Sequence, residues 1–223
     1  MIQESIQLRK FIQDCEQLKK ETRHSYLSDG RHESVAEHVW RTSLMALLLR
    51  PYIRMEIDHY KLICILVVHD LIEIYAGDVA KTDQDLDPNI RALKVQRERS
   101  AAQLIKSKLP ACVGENIISL WEEYENGHSN EAKLAHAIDK LEAQLQHNEA
   151  GIKTWVPEEF HYAFQLPEHT CQEPMVELIA AVAIDEAQSM LDDLKPSLQG
   201  CPMHGKSNEI ETAQSSHASA SHT

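Results

Sequence analysis

The chain has 223 residues, 43% hydrophobic and 26% charged, which is enough apolar matter for a core; at roughly 150 residues per domain it reads as one globular unit. Seven glycines and eight prolines are too little punctuation for a sandwich, a barrel or a glycine-looped nucleotide fold, and neither GxGxxG nor GxxxxGK(S/T) occurs. Thirty-five acidic against 22 basic residues leave a net charge of −13, which repels phosphate backbones and anionic membranes. A small phosphorylated substrate stays open, because a local metal or arginine inverts the field at one site.

Apolar residues recur at helical spacing along nearly the whole chain, so the expectation is all-α, a bundle of about seven to eight helices. The first covers about 2–20. The polar stretch ETRHSYLSDGRHE is too irregular for helix, and Ser34-Val35-Ala36-Glu37 then reads as a capping box opening a helix that stops before Pro51. Asp58 caps the next, HYKLICILVVHDLIEIY, with Gly77 as its stop. Asp87-Pro88 starts a helix running to about Leu109, with Leu93, Leu104, Ile105 and Leu109 toward the core. Further helices are expected over 112–126, closed by Gly127, over SNEAKLAHAIDKLEAQLQH, from Pro157, and over 174–194. Trp40 and Trp121 read as core residues. From Pro196 the sequence turns small, polar and Ser/His-rich, so the expected division is a globular unit of 1–195 and a disordered tail of 196–223.

The five cysteines are scattered without a CxxC pair and read as reduced thiols. The N-terminus has no apolar signal region and no run approaches the ~20 apolar residues of a membrane helix, so a soluble, cytoplasmic protein is expected.

Among thirteen histidines, spacing selects a few. His69-Asp70 ends an apolar run, Leu62 to Val68, where an imidazole and a carboxylate cost several kcal/mol unless compensated. A divalent cation compensates both. Glu73, four residues after His69, is expected on the same helix face as a nearby acid/base. His38 in the first turn of the capped helix and Asp139 inside the apolar stripe of AIDKLEA would complete a mononuclear site.

The order His…HisAsp…Asp over three helices resembles the metal signature of the HD-domain phosphohydrolases. RHESVAEH, HDLIEIYAGD and AIDKLEA are similar to the motifs of its 5'-deoxynucleotidase family, R-x-E-(S/N)-V-(S/A)-(E/D)-H, H-D-x-x-E-x-x-x-G-D and D-x-L-x-A. The resemblance spans about residues 8–194. It implies that His38, His69, Asp70 and Asp139 are metal ligands, that Glu73 is the catalytic carboxylate, that Asp78 touches the sugar and that Arg23 binds phosphate. Where some members follow that arginine with an aromatic residue, this chain has His24, Ser25 and Tyr26, which leaves base and sugar preference open. Arg31 reads either as a salt bridge anchoring the loop or as a substrate contact.

The implied reaction is hydrolysis of (deoxy)nucleoside 5'-monophosphates to nucleoside and phosphate by a metal-bound water, with Glu73 orienting that water or protonating the leaving oxygen. Mixed N/O ligation suits one divalent transition metal, Mn, Co, Fe, Ni or Zn; family members favour Mn or Co and are commonly homodimers. Two rivals stay open: release of triphosphate from deoxynucleoside triphosphates, which needs more cations around the phosphates, and a metal-stabilised helical module without turnover.

Overall fold

The computed structural model describes residues 1–199; the tail, from residue 200 onward, lies outside the described residues, as does Cys201. The fold is all-α apart from one hairpin. Helix α1 (Ile2–Asp14) ends in a 3₁₀ turn, and strands β1 (Thr22–Tyr26) and β2 (His32–Ser34) pair antiparallel. Then come α2 (Val35–Leu49), α3 (His59–Val68), α4 (Glu73–Ala76), α5 (Lys81–Leu86), α6 (Pro88–Lys108), α7 (Ala111–Asn126), α8 (Asn130–Ala150), α9 (Tyr162–Thr170) and α10 (Pro174–Gln199). Helix α10 continues to Gln199, so the boundary expected at 195 falls inside it.

The start signals act as local chemistry predicts. The Ser34 hydroxyl accepts the Glu37 N–H at 3.3 Å while the Glu37 carboxylate accepts the Ser34 N–H at 2.9 Å, a closed capping box. Asp58 caps α3 through the N–H groups of Tyr60 and Lys61, Asp87 caps α6, and Gly127 ends α7 in the left-handed region. The polar stretch after α1 is not helical, as expected: it forms a hairpin, which the Leu27 N–H closes onto the Arg31 carbonyl at 2.8 Å. Other expectations need correction. Leu93 and Leu104 are exposed, because α6 turns Ala101, Ala102, Ile105 and Leu109 inward; Gly114 lets α7 come close, since a Cβ there would stand 2.8 Å from the Lys106 carbonyl oxygen. Trp40 is 64% exposed, whereas Trp121 is buried as expected.

Helix α3 does not run on to Tyr75. It stops at Val68, and a turn of i→i+3 bonds (Leu71 N–H to Val68 O, Glu73 N–H to Asp70 O, both 3.0 Å) leads into α4. The His69 ring takes the Leu66 carbonyl at 2.7 Å, the acceptor that the Asp70 N–H would need to continue the helix. The β-branched run Ile63, Ile65, Val67, Val68 weakens the competing helix further. Glu73 therefore does not share a helix face with His69 and Asp70; it opens the next element.

Two apolar clusters hold the fold. One joins Leu62, Ile65 and Leu66 of α3 to Leu134, Ile138 and Leu141 of α8, with α2 and α10 against them. The other joins Val35, Ile72 and Ile74 to Ile105 of α6 and Ile118 and Trp121 of α7. Each such side chain contributes about 1.5–3 kcal/mol of burial, which packs α2, α8 and the end of α3 together. Among the described residues no helix is long and apolar enough to cross a membrane. Cys15, Cys64, Cys112 and Cys171 are free thiols.

Candidate metal centre

At that meeting point the structure brings together His38 from α2, His69 and Asp70 from the turn after α3, and Asp139 from α8. His38 Nε2 is 3.3 Å from His69 Nε2, 3.1 Å from Asp139 Oδ1 and 3.6 Å from Asp70 Oδ2; His69 Nε2 is 3.2 Å from Asp70 Oδ2. His38, His69 and Asp139 are buried, and one ligand atom of each lies within 4.8 Å of the others.

Both histidine tautomers follow from their neighbours. The Leu66 carbonyl can only accept, so His69 Nδ1 carries the proton and Nε2 a lone pair. His38 Nδ1 faces the Glu142 carboxylate, which likewise puts the proton there and turns the Nε2 lone pair inward. Two imidazole lone pairs then face each other among carboxylate oxygens, an arrangement that a cation stabilises and that repels without one. In the residues alone, burial and Arg23 oppose a charge on His38, but Glu142 and Asp139 outweigh them and push the imidazole up to about 9. The donor set, two nitrogens and two carboxylates, with His38, His69 and Asp139 held from behind, fits a divalent metal ion.

Charge balance agrees. Four carboxylates cluster here (Glu33, Asp70, Asp139, Glu142) against three cations (Arg23, Arg41, Lys140), so negative charge is left over for a cation to offset. Glu33, His38 and Glu142 also lie close enough to share an ion. Arg23 Nε is 3.3 Å from Glu33 and Arg41 Nε 2.6 Å from Glu142, so guanidinium groups already serve those two carboxylates and the cluster calls for one cation.

A cavity of about 600 Å³ opens beside the four donors, lined among others by Arg23, Glu73 and Asp78. Arg23 Nη1 reaches Asp70 Oδ2 at 3.5 Å. Glu73 is buried, and its Oε2 has no hydrogen-bond partner. Burial, reinforced by Asp70 and Asp78, pushes its carboxyl well above the ordinary range. Burial raises Asp78 as well, and its N–H donates to Glu21 Oε1 at 3.1 Å. Arg31 stands apart: it forks onto Glu37 at 2.5 and 3.0 Å and anchors the loop.

Sequence reasoning missed the supporting groups. Glu142 follows Asp139 by three positions on the same face of α8, a spacing visible in AIDKLEA. Tyr124, from α7, donates to Asp139 Oδ2 at 2.9 Å, and Lys140 to the same oxygen at 2.8 Å; Tyr124 had no sequence signal beyond core periodicity. Histidines outside the proposed ligand set also reach the cavity. His24 lies 3.2 Å from Glu159 Oε1, which His147 approaches at 3.6 Å, and all three line the cavity.

The HD domain sequence profile matches residues 15–177. The 5'-deoxynucleotidase HDDC2 of Danio rerio is 34% identical over 143 residues, which cover 63% of this chain and 68% of the relative. HDDC2 of Homo sapiens is 34% identical over 145 residues, 64% of this chain and 67% of the relative. The crystal structure of a predicted metal-dependent phosphohydrolase from Magnetospirillum magnetotacticum MS-1 superposes with a TM-score of 0.72 at 29% identity, covering 84% of this chain and 96% of that one. A conserved hypothetical protein from Pyrococcus furiosus, at a TM-score of 0.59 and 24% identity, shares the fold. Profile, relatives and superposition agree with the three motifs read from the sequence, and the chain belongs to the HD domain family, alongside relatives named as 5'-deoxynucleotidases.

Proposed function

We propose that the protein is a metal-dependent phosphomonoesterase that hydrolyses (deoxy)nucleoside 5'-monophosphates to nucleoside and phosphate, with His38, His69, Asp70 and Asp139 holding one divalent transition metal ion such as Mn or Co. The observation that carries this reading is the convergence of four inward-facing donor atoms beside a cavity large enough for a nucleotide. When bound, the ion supplies a Lewis acid for phosphoryl oxygen and lowers the pKa of coordinated water.

The chain's own residues supply the rest. Arg23, always charged and planar, forks onto phosphate oxygens and fixes the ester in the cavity. Burial, with Asp70 and Asp78 beside it, disfavours the charge on Glu73 and holds its carboxyl well above the ordinary range. It is therefore suited to protonate the C5' oxygen as the phosphorus–oxygen bond breaks; deprotonated, it orients water instead. Asp78 accepts a hydrogen bond from a sugar hydroxyl, and a substrate lacking that hydroxyl leaves a half-buried acceptor unpaired.

Release of triphosphate is the reading to test against this one, because Arg91, Lys94 and Lys140 also line the cavity. Lys94 pairs with Glu98 and Lys140 with Asp139, so two of these three cations are already engaged, which favours the monophosphate. Purified protein supplemented with Mn or Co and given AMP, dAMP and dATP separates the outcomes. Phosphate from a monophosphate supports the proposal; triphosphate from dATP, or no product from any of the three, overturns it.

A further inference from the structure

Glu142 is 0% exposed, and its carboxylate joins three helix positions at once. One oxygen faces His38 Nδ1, and the other accepts from Arg41 Nε at 2.6 Å. Arg41 in turn donates from Nη1 to Glu149 at 2.6 Å, near the surface. The pattern is paired across two helices. On α2, Arg41 follows His38 by three residues; on α8, Glu142 follows Asp139 by three. Each helix thus presents an inward donor and, one turn later, a charged group that holds the other helix's side chain.

A buried ion pair is a weak source of stability, since desolvation of both charges offsets most of their attraction. What this one does geometrically is specific. His38 sits between Asp139, which its Nε2 faces at 3.1 Å, and Glu142, which its Nδ1 faces. A ring flip or a changed tautomer would aim a proton at the donor cluster instead of a lone pair. Arg41 matters because it fixes the Glu142 carboxylate from the far side, so that the oxygen facing His38 cannot swing away.

We infer that Glu142, braced by Arg41, is a positioning residue that holds His38 with its Nε2 lone pair toward the bound cation. The inference rests on the metal-binding reading of the four donors. It is tested by titrating Co²⁺ into metal-free wild type, Glu142→Gln, Glu142→Ala and Arg41→Met, reading the visible absorption and the heat of binding, with thermal melts in chelator as a fold control. Glu142→Ala should bind Co²⁺ about 10- to 100-fold more weakly than wild type with an altered absorption band, the size usual for a group that orients a metal-ligating histidine. Glu142→Gln should retain part of the affinity, because its amide oxygen still accepts from Nδ1. If Glu142→Ala folds and binds within about twofold of wild type with an unchanged band, the inference is overturned. Should Glu142→Ala fail to fold, Arg41→Met decides, its site being partly open to solvent: weaker binding with a shifted band supports the inference, and wild-type affinity and band overturn it. A purely structural role lowers the melting temperature of the metal-free chain and leaves affinity and band alone. Wild type that binds no Co²⁺ sinks the metal reading itself and this inference with it, a result distinct from equal binding by wild type and variant.

Discussion

Single side chains divide into those that would hold the ion and those that would do chemistry beside it, and substitutions separate the two. Glu73 is placed to move a proton, not to ligate, so Glu73→Gln should keep its metal in elemental analysis and lose most phosphate release, on the order of 10²- to 10⁴-fold for a general acid. Asp139 is a proposed ligand with Tyr124 and Lys140 on its other oxygen, so Asp139→Ala should lose both metal and activity. A Glu73→Gln protein with full turnover would falsify the catalytic assignment. His69, Asp70 and Asp139 were legible in the sequence because a charged group inside an apolar run needs a partner, and His38 because it opens the capped helix in the same ordered set of motifs. Tyr124 and Glu142 were not, because their roles come from three-dimensional proximity to those four, and nothing in their own local sequence is out of place for a helix core or a helix surface.

At the level of elements, local chemistry was legible wherever it was strong. The capping box at Ser34 sets where α2 begins and so where His38 stands, in its first turn. Ser34→Ala should cost about 1 kcal/mol, read by urea denaturation. The Arg31 hydrogen bond, aided by the Ser34 N–H and hydroxyl, pulls the Glu37 carboxyl down to about 2. A depressed folded-state value stabilises above the ordinary pKa of 4.5 and is lost as the pH falls toward 2. The stability advantage of wild type over Glu37→Gln should thus be full at pH 6 and disappear across that acid window; a constant difference would refute the assignment. Two features escaped the sequence. The hairpin 22–34 is short, and its alternation is weak, since Arg23 and Glu33 engage buried partners where a strand would carry apolar residues. The break after Val68 depends on the His69 ring capturing a carbonyl, a competition that periodicity does not register.

For the whole molecule, the excess of acid has a local counterpart in the surplus of carboxylates over cations at the centre. Binding an ion to the folded chain alone should stabilise it by about 2.7 kcal/mol at 100 times the dissociation constant. For a chain of this size that is a rise of roughly 5–10 °C in melting temperature over chelated protein, measurable by calorimetry. The donor groups come from α2, the turn after α3, and α8, and Glu142 lies 104 positions along the chain from His38. An ion at that junction acts as a rivet between distant parts of the chain. Starved of it, the seam between α2 and α8 becomes the place where the molecule gapes, and limited proteolysis with and without chelator should show new cuts there first. The lifetime of the protein in a cell would then follow the local supply of its metal.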